Sequence, residues 1–211
     1  MKLSIIPSVI ANNQLELEKR IKKLPKSLVN VQLDVMDGSF VPGFSLDFDF
    51  ILPKGRIYEA HLMARNPEPW FSQAHKKINS VLIHYESQAH LEEFIALAKG
   101  YKKKVGIAIN PETEIENIIP YIKWVDKVLI MTVHPGKYGS DFLLETVEKV
   151  RKLRVLMPKL TIQVDGGINP QTIGHAAGAG ANEFVVGSFI QNSKDISKAN
   201  HELQSALKPW I

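Results

Sequence analysis

The reactive potential of this sequence lies in Asp34, Asp165 and His61. Asp34 sits in Val31 to Gly38, which reads Val, Gln, Leu, Asp, Val, Met, Asp, Gly. Val31, Leu33 and Val35 alternate with Gln32, Asp34 and Met36, the period of a strand with one aliphatic face and a carboxylate on the other. If helices cover both faces, as in parallel sheets, an ionised group there is expensive unless it is paired, hydrogen-bonded or on a metal. Asp165 follows a second β-type run, Leu160 to Val164, and His61 lies in a third, Ile57 to Leu62. Two acids facing one cavity can act as base and acid on opposite sides of a carbon, removing a proton from one face and returning one to the other. Aspartate and histidine from separate strands also make an oxygen-and-nitrogen site for a divalent cation, which stabilises the negative charge of an enediolate. Alone, His61 reads as a satisfied core histidine; beside two inward acids it reads as a ligand.

Apolar β-type segments recur along the chain: Leu3 to Pro7, Val29 to Val35, Ile57 to Leu62, Ser80 to Tyr85, Lys104 to Ile109, Lys127 to Val133, Leu160 to Val164 and Glu183 to Val186. Each precedes a segment that can be helical: Gln14 to Leu24, Pro67 to Ile78, Gln88 to Lys99, Pro111 to Ile122, Asp141 to Met157, Pro170 to Gly180 and Ser193 to Leu207, with a weaker helical signal in Phe40 to Pro53. Asn12 and Asn13 are candidate caps for the first helix, whose acids come early and bases late, as the macrodipole prefers. Strand-then-helix units repeated eight times predict an α/β fold, a single (β/α)8 TIM barrel over residues 1–211. An open doubly wound sheet is disfavoured, because Pro7, Ser8, Val9 and Ile10 stand where a glycine-rich dinucleotide loop would follow the first strand.

Barrel closure sorts each strand into an inner and an outer face. The inner set contains Ser8, Gln32, Asp34, Met36, Glu59, His61, Met63, His84, Glu86, Leu129, Met131, Val133, Gln163 and Asp165; the outer set, including Leu33, Val35, Ile83, Ile107 and Val164, is aliphatic. The chemistry therefore falls at the C-terminal strand ends, where barrel enzymes place their sites. Glycines cluster there: Gly136 and Gly139 after the sixth strand, Gly166 and Gly167 after Asp165, and Gly187 with Ser188 after the eighth. Singly each can be a turn glycine; together they predict a phosphate cup of backbone N–H groups. Met36, Met63 and Met131 share the inward parity, either as soft core filler or as a water-poor lining around a reactive intermediate. No lysine is expected at an inward strand position to form a Schiff base, which argues against aldolases and decarboxylases of phosphosugars.

At 45% hydrophobic and 23% charged, with no cysteine and a net charge of +4, the 211 residues match a globular protein of a reducing compartment. No apolar run reaches the roughly 20 residues of a membrane span, and no cleavable signal precedes the first strand, so a cytoplasmic location is expected. The mild basicity suits an anionic small substrate and is too diffuse for nucleic acid; the basic run Lys99 to Lys104 reads as a solvated helix end.

Pro7-Ser8, Leu33 to Gly38 followed by Phe40-Val41-Pro42, His61-Leu62-Met63, Asn110-Pro111, Met131 with Val133, Pro135 and Gly136, Asp165-Gly166-Gly167-Ile168 and Gly187-Ser188 occur in order over nearly the whole chain. Taken jointly, this set resembles the ribulose-phosphate 3-epimerase family. The resemblance implies interconversion of ribulose 5-phosphate and xylulose 5-phosphate at C3 with a divalent metal cation (Zn, Fe, Mn or Mg). It implies Asp34 and Asp165 as the acid/base pair, and His61 and both aspartates as metal ligands. Ser8, His61, Met36, Met63 and Met131 would line the substrate site, with Gly136, Gly139, Gly166, Gly167, Gly187 and Ser188 around the phosphate. A homo-oligomer is also in keeping with the family.

Three departures qualify it. The family's histidine ligand two residues before the strand-2 aspartate is replaced by Gln32, whose carbonyl suits a hard cation better than a zinc-like one. Lys137, Tyr138, Gly139 and Ser140 replace a glycine-rich run, where Lys137 reads first as an exposed loop lysine and otherwise as an added charge at the phosphate site, and His134 stands where the family usually shows Asn or Asp. These leave open a related ketose-phosphate 3-epimerase, for instance of a ketohexose 6-phosphate, or a phosphosugar-binding homologue impaired in catalysis.

Overall fold

A computed structural model describes residues 2–87, 89–136 and 139–211. Parallel strands β1 (Ser4–Val9), β2 (Asn30–Asp37), β3 (Ile57–Met63), β4 (Ser80–His84), β5 (Lys104–Ile109), β6 (Lys127–Met131), β7 (Thr161–Asp165) and β8 (Glu183–Val186) pair in chain order. The ring closes through β8 on β1 and β1 on β2, the last with Ser8 opposite Gln32. This is the (β/α)8 barrel that the recurrence of strand-then-helix units predicts.

The helices are α1 (Gln14–Lys22), α2 (Glu68–Ala74), α3 (Leu91–Gly100), α4 (Ile119–Ile122), α5 (Val147–Leu156), α6 (Ile173–Ala179), α7 (Ser188–Gln191) and α8 (Ile196–Leu207). The Asn13 side chain caps α1 by accepting from the Glu16 N–H at 2.9 Å. Outward strand residues such as Leu33, Leu62, Ile83, Ile107 and Val164 pack with helix residues such as Leu17, Phe71, Phe94 and Leu153 in one continuous core. Among the described residues, no helix is long and apolar enough to cross a membrane.

Prolines account for two departures from the expected elements. The β2–β3 crossover, with Pro42 and Pro53, forms no helix; its Phe44–Ser45 adds antiparallel to Met36 and Asp37. Between β5 and β6, the expected helix reduces to a 3-10 turn, Ile115–Asn117, followed by the short α4, because Pro120 has no N–H to continue the first turn into the second.

Register places the inward set as its parity requires: Asp34 pairs beside His61 across β2 and β3, and Met131 beside Asp165 across β6 and β7. The middle of the barrel is filled by Leu82, Ala108, Leu129, Met131 and Val133. Below them, the N-terminal end carries a polar layer that corrects one expectation. Lys127 shares the parity of Leu129 and does turn inward, where its Nζ lies 2.9 Å from Glu59 Oε2 and also bonds Glu183. Glu59 further accepts from Ser80 Oγ at 2.9 Å and from Gln163 Nε2 at 2.8 Å. Burial disfavours the Lys127 charge, but the two carboxylates outweigh it and hold its pKa above the ordinary lysine range. An inward lysine is thus present, at the opposite end of the barrel from the acid pair, and it is a counterion.

Candidate active site

The C-terminal strand ends surround a cavity of about 470 Å3 that reaches Asp34, His61 and Asp165. Each expected substrate-site residue borders it: Ser8, Met36, Met63 and Met131 from the strands, then Gly136, Gly139, Gly166, Gly167, Gly187 and Ser188 from the loops. The three methionines are 8%, 5% and 3% exposed, so the lining around the acids is almost dry. A second hollow shares Gly139, Gly167 and Ser188 with the first and continues to Asn169, Thr172 and Asn192. Gly167 is at φ +64°, and a Cβ there would meet the Phe142 backbone nitrogen at 2.6 Å. Only glycine lets the chain after β7 pass this close and bring its backbone to the cavity. Lys137 lies outside the described residues. His134 does not border the cavity; its Nδ1 is 2.7 Å from Glu112 Oε1 on the exposed surface.

Asp165 is placed by Thr132, the residue just after β6: Thr132 N–H donates to the Asp165 carbonyl at 2.7 Å, and Thr132 Oγ1 donates to the Gly166 carbonyl at 2.5 Å. His61 Nδ1 is 3.5 Å from both Asp34 Oδ1 and Asp165 Oδ2. Burial, and then the nearby Asp165 charge, push the Asp34 carboxyl above its ordinary range, against the hydrogen bonds from His61 and Gln32. Burial works against charge on His61, yet the facing carboxylates outweigh it and raise its pKa to about 9.

Gln32, fully buried, stands at the centre of this group. Its amide nitrogen donates to Asp34 Oδ1 at 2.8 Å and to Asp165 Oδ2 at 2.6 Å, and lies 3.4 Å from His61 Nδ1. Its carbonyl oxygen is buried without a partner.

A cation can be tested against this arrangement. One ligand atom each from Asp34, His61 and Asp165 lies within 4.8 Å of the others, a grouping able to hold a metal. The oxygen-rich donor set suits a divalent ion, and the orphaned Gln32 oxygen is a further potential donor.

Behind His61 runs a relay of side chains that strand parity alone puts on the inner face. His61 Nε2 is 2.9 Å from His84 Nε2, and His84 Nδ1 is 3.1 Å from Glu86 Oε2. Glu86 also accepts from the Asn110 N–H at 2.8 Å and from the Thr113 hydroxyl. These bonds hold Glu86 ionised and below the ordinary carboxyl range despite its burial. An ionised Glu86 can only accept, so His84 carries its proton on Nδ1 and accepts at Nε2, and His61 donates from Nε2. His61 Nδ1 is thereby aimed at the two aspartates. The legible signal was the two-residue spacing of His84 and Glu86, which puts both on the inner face.

Burial lowers the His84 pKa from 6.5 to about 4. Between those values the unfolded chain binds a proton that the folded chain refuses. This contribution to stability is complete above pH 6.5 and is lost as pH falls toward 4, by ~3 kcal/mol in full. Urea unfolding at pH 7 and at about pH 5 should show wild type losing stability on acidification, with a shallower loss in His84→Asn. Equal losses would refute the assignment of the neutral form to His84.

Residues 4–191 match the family described as the ribulose-phosphate 3 epimerase family. The chain belongs to the ribulose-phosphate 3-epimerase family. It is therefore a carbohydrate epimerase, an isomerase. Among its relatives, the ribulose-phosphate 3-epimerase of Schizosaccharomyces pombe is 32% identical over 100% of this chain and 99% of its own length. That of Bacillus subtilis is 31% identical over 97% of this chain and 99% of its own length. The barrel is also similar to solved 3-hexulose-6-phosphate synthase from Salmonella typhimurium, with a TM-score of 0.72 at 14% identity, covering 99% of this chain and 100% of that one. That likeness concerns the fold.

Proposed function

We propose that this epimerase interconverts ribulose 5-phosphate and xylulose 5-phosphate by two-base proton transfer at C3. The observation that carries the reading is the convergence of Asp34 Oδ1 and Asp165 Oδ2, from strands on opposite sides of the barrel, on one buried donor at the floor of the cavity. One carboxylate removes the C3 proton, and the electrons of the broken C–H bond pass into the adjacent carbonyl to give an enediolate. The other carboxylate delivers a proton to the opposite face of C3, which inverts the centre and restores the carbonyl. The cavity volume of about 470 Å3 is in the range of pockets that enclose a small ligand. Met36, Met63 and Met131 keep bulk water from the enediolate while it lasts, and the two carboxyl groups exchange their protons with solvent between turnovers. The backbone around Gly139, Gly167, Gly187 and Ser188 holds the phosphate and so fixes C3 between the acids. Asp34, His61 and Asp165 would hold a divalent cation, which when bound supplies positive charge against the enediolate.

Ribulose 5-phosphate incubated with the protein in D2O, with Mn2+ supplied, should gain deuterium at C3 and yield xylulose 5-phosphate, both read by NMR. Absence of both exchange and inversion would overturn the proposal.

A further inference from the structure

We propose that Gln32 is a rotating ligand: its side-chain nitrogen bridges the two aspartates when no metal is bound, and its oxygen turns in to coordinate a hard divalent cation. The inference rests on the reading of Asp34, His61 and Asp165 as the metal-holding group. It starts from distances. In a metal site with bonds of about 2.1 Å, neighbouring donor atoms are about 3.0 Å apart at octahedral corners and about 3.4 Å apart at tetrahedral ones. His61 Nδ1 is 3.5 Å from each aspartate oxygen, and Gln32 Nε2 is 3.4 Å from His61 Nδ1, so the amide nitrogen stands at the fourth corner. Its distances to the aspartates, 2.8 and 2.6 Å, are shorter because they are hydrogen bonds to carboxylate oxygens.

An amide N–H2 group has no lone pair for a metal, so the fourth corner is in position but carries the wrong atom. The right atom is on the same side chain, since the Gln32 oxygen is buried and without a partner. A half-turn about the last side-chain torsion exchanges the two atoms. Without a cation the turn is unfavourable, because it sets a carbonyl oxygen against two carboxylates and gives up two charge-assisted hydrogen bonds. With a cation among the same atoms, the carboxylates are already engaged and the inward oxygen becomes a donor. Three oxygens and one nitrogen favour Mn2+ or Mg2+, where an imidazole at this corner would favour Zn2+.

The test is calorimetric titration of the full chain with Mn2+ and with Zn2+, for wild type, Gln32→Met and Gln32→His. Gln32→Met keeps the side-chain length and removes the hard donor, so it should weaken Mn2+ at least tenfold. Gln32→His should move the Zn2+-to-Mn2+ affinity ratio at least tenfold toward Zn2+. Undiminished Mn2+ binding by Gln32→Met would show that the amide is a plug and overturn the proposal, as would failure of wild type to bind Mn2+ at millimolar concentration. Should Gln32→Met fail to fold, wild type labelled with 13C at the glutamine side-chain carbonyl decides: Mn2+ electron–nuclear double resonance shows a 13C coupling if the oxygen ligates, and its absence overturns the proposal. Exchange of C3 hydrogen on the same samples separates the two readings. Exchange with no sign of Gln32 ligation removes this inference alone, whereas Mn2+ held by Gln32 without any exchange removes the epimerase chemistry alone.

Discussion

Asp34→Asn and Asp165→Asn should each slow inversion at C3 on the order of 10^3-fold, the usual contribution of a positioned acid or base. Asparagine keeps an oxygen where each carboxylate accepts from Gln32, so these variants remove the proton-transfer group with the least disturbance of the floor. The two-base scheme gives the pair a signature beyond lost rate. Each variant retains the base that attacks one of the two epimers, so solvent deuterium should still wash into one sugar and not the other, with the preference reversed between variants. NMR of each epimer in D2O, beside a coupled assay of inversion, reads both quantities. Inversion within tenfold of wild type in either variant would defeat the scheme, and identical wash-in patterns would point to one base serving both faces.

The largest effect on stability is expected far from the chemistry. Lys127→Met removes the cation that Glu59 and Glu183 share at the N-terminal end of the barrel. Glu59 is 5% exposed and would be left as a buried charge bonded only to neutral donors, Ser80 and Gln163. Breaking a buried pair in this way costs about 3–5 kcal/mol, much more than loss of a surface pair. Urea unfolding checks the magnitude, and adding Glu59→Gln should recover a substantial part by removing the stranded charge. Epimerase activity per folded molecule should stay near wild type, since Lys127 does not border the cavity. A loss below about 1 kcal/mol would mean that water, and not the lysine, compensates the two glutamates.

The fold was legible because a covered parallel barrel imposes a two-residue alternation on every strand, and the polar side of Val31 to Asp37 had no place to face except inward. The same parity gathered Asp34, His61, Asp165 and the three methionines, and the glycines after the last strands marked the other wall. Parity says which face a side chain takes, but not which atom it offers. Gln32 was visible as an inward residue in a ligand position, whereas its bond to Asp165 spans 133 residues and depends on how the ring is sheared. Lys127 is illegible for a related reason: at the first position of a strand, a long aliphatic side chain with a charged tip resembles a solvated end, and only the inward glutamates reveal a partner. The shortened elements between β5 and β6 reflect local chemistry, a proline that outweighed a helical pattern.

The way the ring closes has a consequence for when chemistry becomes possible. Asp34 belongs to the second strand and Asp165 to the seventh, and the short way round between them passes through β8 and β1, the two extremes of the barrel sequence. The β8–β1 pairing, with Ser4 opposite Glu183, joins the most distant parts of the polypeptide and is the slowest to find by chance. A molecule that has assembled every neighbouring strand but not this last join is rich in secondary structure yet has not brought Asp34 and Asp165 together, so the proposed proton transfer has no place to occur.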